Sequence, residues 1–211
     1  METMAVAPGT ELPPAHRGGR PRDPSRDEAI RGALLRLLGE VGYGGLTMDA
    51  LAQAAGVGKA TIYRRWRTKQ DLIVDSISDL GSLLTVPPDT GSLRDDPRQF
   101  MHLLAETTRS PVGAMLRSLV PAMHHHPELR AAYRAGPLTV WRNAYAQMWA
   151  RAEARGEVPP GLASSPLAET TSALIVQRWL LTDEPVDEEY ADQVLDTVVM
   201  PLLRHARPAQ P

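Results

Sequence analysis

The chain has no cysteine, which removes disulfide scaffolds, thiol nucleophiles, cysteine-based zinc sites and iron–sulfur clusters. It has no run near the ~18 uninterrupted apolar residues that a membrane helix needs, so no membrane association is expected. Met1 to Pro14 holds no basic stretch leading into an apolar one and does not read as a signal peptide. No period-2 pattern marks a strand, and no internal repeat is visible. No Gly-x-Ser-x-Gly elbow is present, and nothing pairs a nucleophile with a base. These absences leave a cytoplasmic, non-redox protein for which no cofactor and no catalytic activity are expected.

What is present is a soluble, globular balance: 211 residues, 43% hydrophobic and 23% charged. That length buries a core without staples. A net charge of −2 conceals an asymmetry. Residues 15–70 carry eleven basic and five acidic residues, a balance of +6, and the remainder carries −8. A small basic module joined to a larger acidic part suggests a polyanion partner for the first alone. Arginine outnumbers lysine 21 to 2 over the chain and is favoured in the acidic part too, so that ratio itself is no sign of nucleic-acid binding.

Residues 1–15 are rich in Pro, Ala, Gly and Thr and are expected to be a disordered tail. A basic arm follows at 16–22, His-Arg-Gly-Gly-Arg-Pro-Arg. Ser25 with Glu28 forms a capping-box pattern for a first helix. Its apolar face is Ile30, Ala33, Leu34, Leu37, Leu38 and Val41, and Gly42, Gly44 and Gly45 end it. Thr47 caps a short second helix, Gly56-Val57-Gly58 interrupts the chain, and a third segment runs from Lys59 to Trp66. Thr68 and Asp71 open a fourth helix, about 68–85. Pro87-Pro88 stops it and sets a domain boundary between 16–86 and 87–211. Beyond it everything reads as helix: Pro97 and Pro111 at first helical positions, a long segment from Pro127 to Arg155 kinked at Gly136-Pro137, a loop, and helices at 166–182 and 187–204. The expected class is all-α.

The densest signal is residues 47–66, Thr-Met-Asp-Ala-Leu-Ala-Gln-Ala-Ala-Gly-Val-Gly-Lys-Ala-Thr-Ile-Tyr-Arg-Arg-Trp. Two short helices meet at a glycine turn. Ala52, four residues before Gly56, allows close approach, and Gly56 can supply a positive φ. Val57 and Ile62 are placed to pack the second helix on the first. This is helix-turn-helix spacing, in which the second helix enters a DNA major groove. Its outward face holds Lys59, Thr61, Tyr63, Arg64 and Arg67, suited to phosphates and base edges. An ordinary helix hairpin with a solvated basic face shares the spacing; the basic arm and the +6 balance favour DNA.

The arm Gly-Arg-Pro-Arg-Asp, the first helix, Thr47 to Ala55, Gly-Val-Gly-Lys-Ala-Thr-Ile-Tyr-Arg-Arg-Trp and Lys69 resemble the DNA-binding domain of TetR-type transcriptional regulators, from about Gly19 to Leu80. The resemblance implies an amino-terminal helix-turn-helix, a carboxy-terminal helical ligand and dimerisation domain, a homodimer on a palindromic double-stranded operator, and a small-molecule effector. It maps DNA contacts to Thr47, Lys59, Thr61, Tyr63, Arg64 and Lys69, with Arg20 and Arg22 of the arm following the minor groove. Gly58 stands where the family's usual Ser caps the recognition helix, which implies looser anchoring there. The final helices fall where the family places its dimer interface, with Leu167, Thr171, Leu174, Ile175, Tyr190, Val194 and Val198 as candidates. Arg178 to Val186 resembles one carboxy-terminal subclass more loosely.

Met101, Leu104, Met115, Leu119, Met123, Trp141, Tyr145, Trp149 and Trp179 are candidates for an effector cavity, though most are expected to be core. Few charges fall between them, which suggests a mainly apolar effector. Gly56 to Ala60 imitates the end of a phosphate loop, but Gln53 and Ala60 stand where it needs Gly and Ser or Thr. His124-His125-His126 sit about 100° apart on a helix and do not converge on one ion, and the acids from Asp183 to Glu189 suit a helix start better than a calcium loop, so no metal site is expected. The competing reading is a helical enzyme or small-molecule carrier whose basic module is incidental.

Overall fold

Apolar residues recur at helical spacing along nearly every segment, and the computed structural model, which describes residues 24–80, 87–182 and 184–205, is helical throughout. None of the described residues lies in a strand. The expected tail, and Arg20 and Arg22, fall outside the described residues.

Helix α1 (Pro24–Gly45) opens at Pro24, so Ser25, expected as its cap, lies inside the first turn. Ile30, Ala33, Leu34 and Leu38 are buried, Leu37 is half-buried, and Val41, expected on the same face, is exposed. Gly42 takes φ +68° and breaks the regular helix where the glycines predict an end. Helices α2 (Met48–Ala54), α3 (Lys59–Tyr63) and α4 (Lys69–Leu80) follow. The N–H of Thr68 donates to Asp71 Oδ2 at 3.0 Å and that of Asp71 to Thr68 Oγ1 at 3.1 Å, the reciprocal capping box read from sequence. Residues 81–86, the expected end of this helix, are outside the described residues.

Helix α5 (Asp95–Arg109) takes Pro97 as its third residue rather than its first, because Asp95 and Asp96 open it. Helices α6 (Pro111–His125) and α7 (Pro127–Tyr133) each begin on a proline, whose missing N–H costs nothing there. A π-turn at Arg134–Leu138, with Gly136 at ψ −106°, makes the predicted kink before α8 (Thr139–Ala154). Helix α9 (Pro166–Leu181) is continuous. The last helical segment is interrupted: α10 (Glu188–Val194) and α11 (Met200–His205) are joined by a π-turn at Leu195–Val199.

Two apolar clusters hold these helices. One joins α1–α4 to Met115, Leu119 and Met123 of α6 and Leu129 and Ala132 of α7. The other joins α5, α8, α9, α10 and α11 around Phe100, Trp149 and Ile175. The core of the amino-terminal unit therefore continues past the Pro87-Pro88 boundary into α6 and α7. Helices α5 and α6 meet so closely that a Cβ on Gly113 would lie 2.3 Å from the Thr107 carbonyl oxygen, so only glycine fits there.

Candidate nucleic-acid interface and the cavity behind it

Thr47 opens α2 in an extended conformation, and its Oγ1 accepts from the Ala50 N–H at 3.1 Å. The turn after α2 depends on Gly56, at φ +65°, and is closed by the Val57 N–H donating to the Ala52 carbonyl at 3.0 Å. Gly58 caps α3 with no side-chain hydrogen bond, as its identity dictates. Only Lys59–Tyr63 is α-helical, shorter than the segment to Trp66 expected from sequence.

Packing sets which way α3 faces. Ile62 is fully buried, and Trp66 is nearly so with its indole N–H donating to Asp75 Oδ2 of α4 at 3.1 Å. Lys59, Tyr63, Arg64 and Arg67 are then left exposed, and Thr61 half-buried. Arg65 is spent differently. Its guanidinium pairs with Asp27 of α1 and lies over the Trp66 ring at 4.5 Å, which ties α3 to the first helix. Lys59 pairs with Asp49 at 2.6 Å, but both side chains are more than half exposed, so the pair is weak and easily exchanged for a phosphate. Lys69 is more committed than its mapped role suggests. Its Nζ donates to the carbonyls of Tyr43 at 2.8 Å and Leu46 at 3.1 Å and sits over the Tyr43 ring, closing the end of α1. Of the residues the resemblance maps to DNA, Thr47, Lys59, Tyr63 and Arg64 are exposed, Thr61 is half-buried, and half-buried Lys69 is held against the end of α1.

Behind this unit lies a cavity of about 490 Å³, of small-molecule size, lined from α5, α6, α7, α8 and α9. Leu104, Met123, Trp141, Tyr145 and Trp179 line it, as the sequence suggested. Met115 and Leu119 do not; they are fully buried in the amino-terminal core, and Met101 and Trp149 are buried in the second cluster. The wall includes three cationic or titratable groups that sequence reasoning missed, His124, Arg130 and Arg142, because their positions on three separate helices gave no common spacing. The Tyr145 hydroxyl is buried, and the Thr171 and Ser172 hydroxyls lie beside it. Burial pushes its pKa up to about 12, so it is a neutral donor.

The corner between α6 and α7 touches both regions. Gln70, in the first turn of α4, donates from Nε2 to Glu128 Oε1 at 2.8 Å, and the same nitrogen lies 2.7 Å from His126 Nδ1. The Tyr43 and His126 rings meet at 4.7 Å. Two residues before His126 and two after Glu128, His124 and Arg130 line the cavity. The pairing of His126 with Gln70, 56 positions away, leaves no local signal in the sequence.

In the last helices, Leu167, Leu174, Tyr190 and Val198 are half-buried, while Thr171, Ile175 and Val194 are buried inside their own chain. Those three are corrected to core: Thr171 Oγ1 donates to the Ala168 carbonyl at 2.7 Å, and Ile175 and Val194 belong to the second apolar cluster. Leu181 and Leu202 are the large apolar residues most exposed on these helices.

A capped helix, a glycine turn and a short outward-facing basic helix, backed by a helical unit with a cavity, define a helix-turn-helix DNA-binding transcriptional regulator. Residues 30–75 match the family described as bacterial regulatory proteins of the tetR family, and residues 87–198 match the tetracyclin repressor-like carboxy-terminal domain. The chain belongs to the TetR family. It is 28% identical over 188 residues to the uncharacterized HTH-type transcriptional regulator Rv1556 of Mycobacterium tuberculosis, covering 87% of this chain and 93% of that one. It is 28% identical over 184 residues to the DNA-binding transcriptional repressor TetR of Mycobacteroides abscessus, covering 87% and 96%. The crystal structure of the TetR family transcription regulator SCO0332 superposes with a TM-score of 0.62 at 27% identity, covering 88% of this chain and all of that one. No described helix is long and apolar enough to cross a membrane.

Proposed function

We propose that this regulator is a repressor that binds a palindromic operator as a homodimer and is released when a small molecule fills the cavity. The observation that carries the reading is the α6–α7 corner, which holds the DNA-binding unit through Gln70 and Tyr43 and lines the cavity through His124 and Arg130. A ligand that favours a different placement of that corner also shifts α4 and the helices it supports, and so the population able to seat on DNA. Two recognition helices must stand about 34 Å apart to reach successive major grooves, so a modest change at each protomer is enough to spoil the fit. The curated relative from M. abscessus is named a repressor, which supports that sign.

The outer faces of α9, α10 and α11, with Leu167, Leu174, Tyr190 and Val198 half-buried and Leu181 and Leu202 exposed, are the proposed dimer surface. Exposed Lys59, Tyr63, Arg64 and Arg67 are the proposed DNA contacts, with Thr47 and the start of α4 on phosphate. The test is fluorescence anisotropy with DNA from upstream of the protein's own gene, joined to light scattering. The expected result is binding that weakens steeply with salt and a mass of twice 23.1 kDa. A monomer in solution, or indifference to every upstream fragment at low salt, overturns the reading.

A further inference from the structure

Most arginines of the second helical cluster are neutralised in place. Arg94 pairs with Asp196, Arg98 with Asp192, Arg151 with Asp89, Arg155 with Glu157 and Arg178 with Glu184. Arg130 and Arg142 line the cavity, and neither has an ion-pair partner among the described residues. No described residue lining that cavity is acidic, although the chain outside residues 15–70 carries a balance of −8. Arg130 and Arg142 are exposed, as are Arg109, Arg134 and Arg204, which equally lack an ion-pair partner among the described residues. What sets Arg130 and Arg142 apart is that they line an apolar cavity whose described lining holds no acid, where an anion from outside the chain meets positive charge only.

The rest of the wall limits what carries the negative charge. Leu104, Leu116, Val120, Met123, Trp141 and Trp179 give an apolar surface with flat aromatic portions, suited to a ring or an alkyl chain. The Tyr145 hydroxyl adds a buried donor on the wall, beside the Thr171 and Ser172 hydroxyls, within reach of a ligand oxygen. Aromatic walls alone also suit a cation, but Arg130 and Arg142 repel one. Glu169 borders a smaller neighbouring cleft that shares Arg142, Tyr145 and Ser172, and it makes no ion pair with Arg142.

From this juxtaposition we infer that the cavity takes an anionic amphiphile, a carboxylate on an apolar ring or chain, with Arg130 and Arg142 on the carboxylate and the Tyr145 hydroxyl on an oxygen of the ligand. The inference rests on the reading of this cavity as the effector site and names the chemistry it selects. It also revises the expectation of a mainly apolar effector by giving that effector a charged end.

Two matched sets of probes test it: 2-naphthoate, 2-naphthamide and 2-naphthylmethylammonium, and decanoate, decanol and decylammonium. Binding is read by isothermal titration calorimetry, with quenching of tryptophan fluorescence as a second signal because Trp141 and Trp179 line the cavity. In at least one set the carboxylate should bind about tenfold more tightly than its neutral and ammonium partners, the discrimination expected of charge-assisted hydrogen bonds at a partly wetted site. Arg130→Gln with Arg142→Gln should bring that ratio close to one and leave the neutral compound's affinity unchanged, with an unaltered melting temperature showing that the fold is intact. Equal or tighter binding of the neutral or ammonium compound, a preference that survives the double substitution, or no binding by any probe overturns the inference. DNA release is measured separately. Arginine-dependent carboxylate binding without release leaves the cavity chemistry standing and defeats the effector reading; release by a neutral compound with no carboxylate preference does the reverse.

Discussion

Arg64 and Arg65 are adjacent in sequence and have opposite assignments in space, which makes them a sharp test of how α3 is seated. Arg65 pairs with Asp27 and lies over Trp66, and the two charged side chains are only 31% and 26% exposed. An ion pair at the upper end of the surface range, about 1 kcal/mol, plus about 0.5–1 kcal/mol for the stacked cation, gives a loss of about 1.5–2 kcal/mol for Arg65→Ala. In a chain of this size that lowers Tm by about 3–8 °C. Arg64 is exposed, so Arg64→Ala should leave Tm within ~1 °C, as surface substitutions do. Its cost should appear on DNA, as about 1–3 kcal/mol concentrated at particular base pairs. Thermal melts monitored by circular dichroism give the first quantity; anisotropy on single-base variants of a bound upstream fragment gives the second. Asp27→Asn should reproduce only the ion-pair part of the Arg65→Ala loss, about 1 kcal/mol, and add little to Arg65→Ala in the double variant. The reasoning fails if Arg65→Ala melts like the parent and lowers the slope of log K against log salt by about one, because Arg65 then touches phosphate. Equal loss at every base for Arg64→Ala would move that residue to the backbone as well.

Gln70→Ala removes two hydrogen bonds between α4 and the α6–α7 corner while leaving the outer face of α3 intact. It should lower stability by about 1–2 kcal/mol in denaturant titration and leave DNA affinity in the absence of effector within about twofold; a large loss of that affinity would show that the corner is part of the DNA surface rather than a link to it. Gly113→Ala places a Cβ against two backbone carbonyls of α5 and should fail to give a cooperative melt or lose several degrees of Tm; parent-like melting would show that α5 and α6 are not packed as described. Arg98, aided by His102, holds the Asp192 carboxylate down at about pKa 2 against the raising effect of its burial. A depressed carboxylate stabilises the fold above its unfolded pKa of ~3.9 and loses that contribution as pH falls toward 2. The destabilisation caused by Asp192→Asn should therefore be constant from neutral pH to about 5 and shrink below 4; a penalty that grows with acid would contradict the assignment.

How far the sequence foretold this arrangement depends on the range over which each feature is determined. Thr47, Gly56, the Thr68–Asp71 pair and the glycine stop at Gly42 are local: a hydroxyl, a missing Cβ or a carboxylate three residues away acts within one turn, so each could be read directly. The two prolines at the starts of α6 and α9 belong to the same class. Facing was harder. Helical spacing placed Val41 with the core of α1, but the break at Gly42 leaves it outside; Ile175 and Val194 lie on faces that look equally suited to a partner chain until their own cluster is seen. Methionine misled for a chemical reason, since the flexibility that suits Met123 to a cavity wall suits Met101 and Met115 to filling a core. The charged part of the cavity could not be read at all, because His124, Arg130 and Arg142 converge only after α6, α7 and α8 have folded around the bend at Gly136.

The continuity of the amino-terminal core into α6 and α7 has a consequence for how a ligand signal could travel. Met115, Leu119, Met123 and Leu129 are buried against the helices that present α3, so α6 and α7 form the rear wall of the DNA-binding unit. Met123, Leu116 and Tyr133 of the same helices touch that core and also line the cavity, and exposed Val120 lines the cavity beside them. A close-packed wall with a ligand on one side and a DNA-binding core on the other responds to displacement as a unit, because interiors at this density do not absorb strain locally. On the proposed reading the effector therefore needs no path of its own to the DNA surface. It needs only to bind one placement of that wall better than the other, and each tenfold of that difference, about 1.4 kcal/mol, shifts the ratio of the two placements by up to the same factor at saturation.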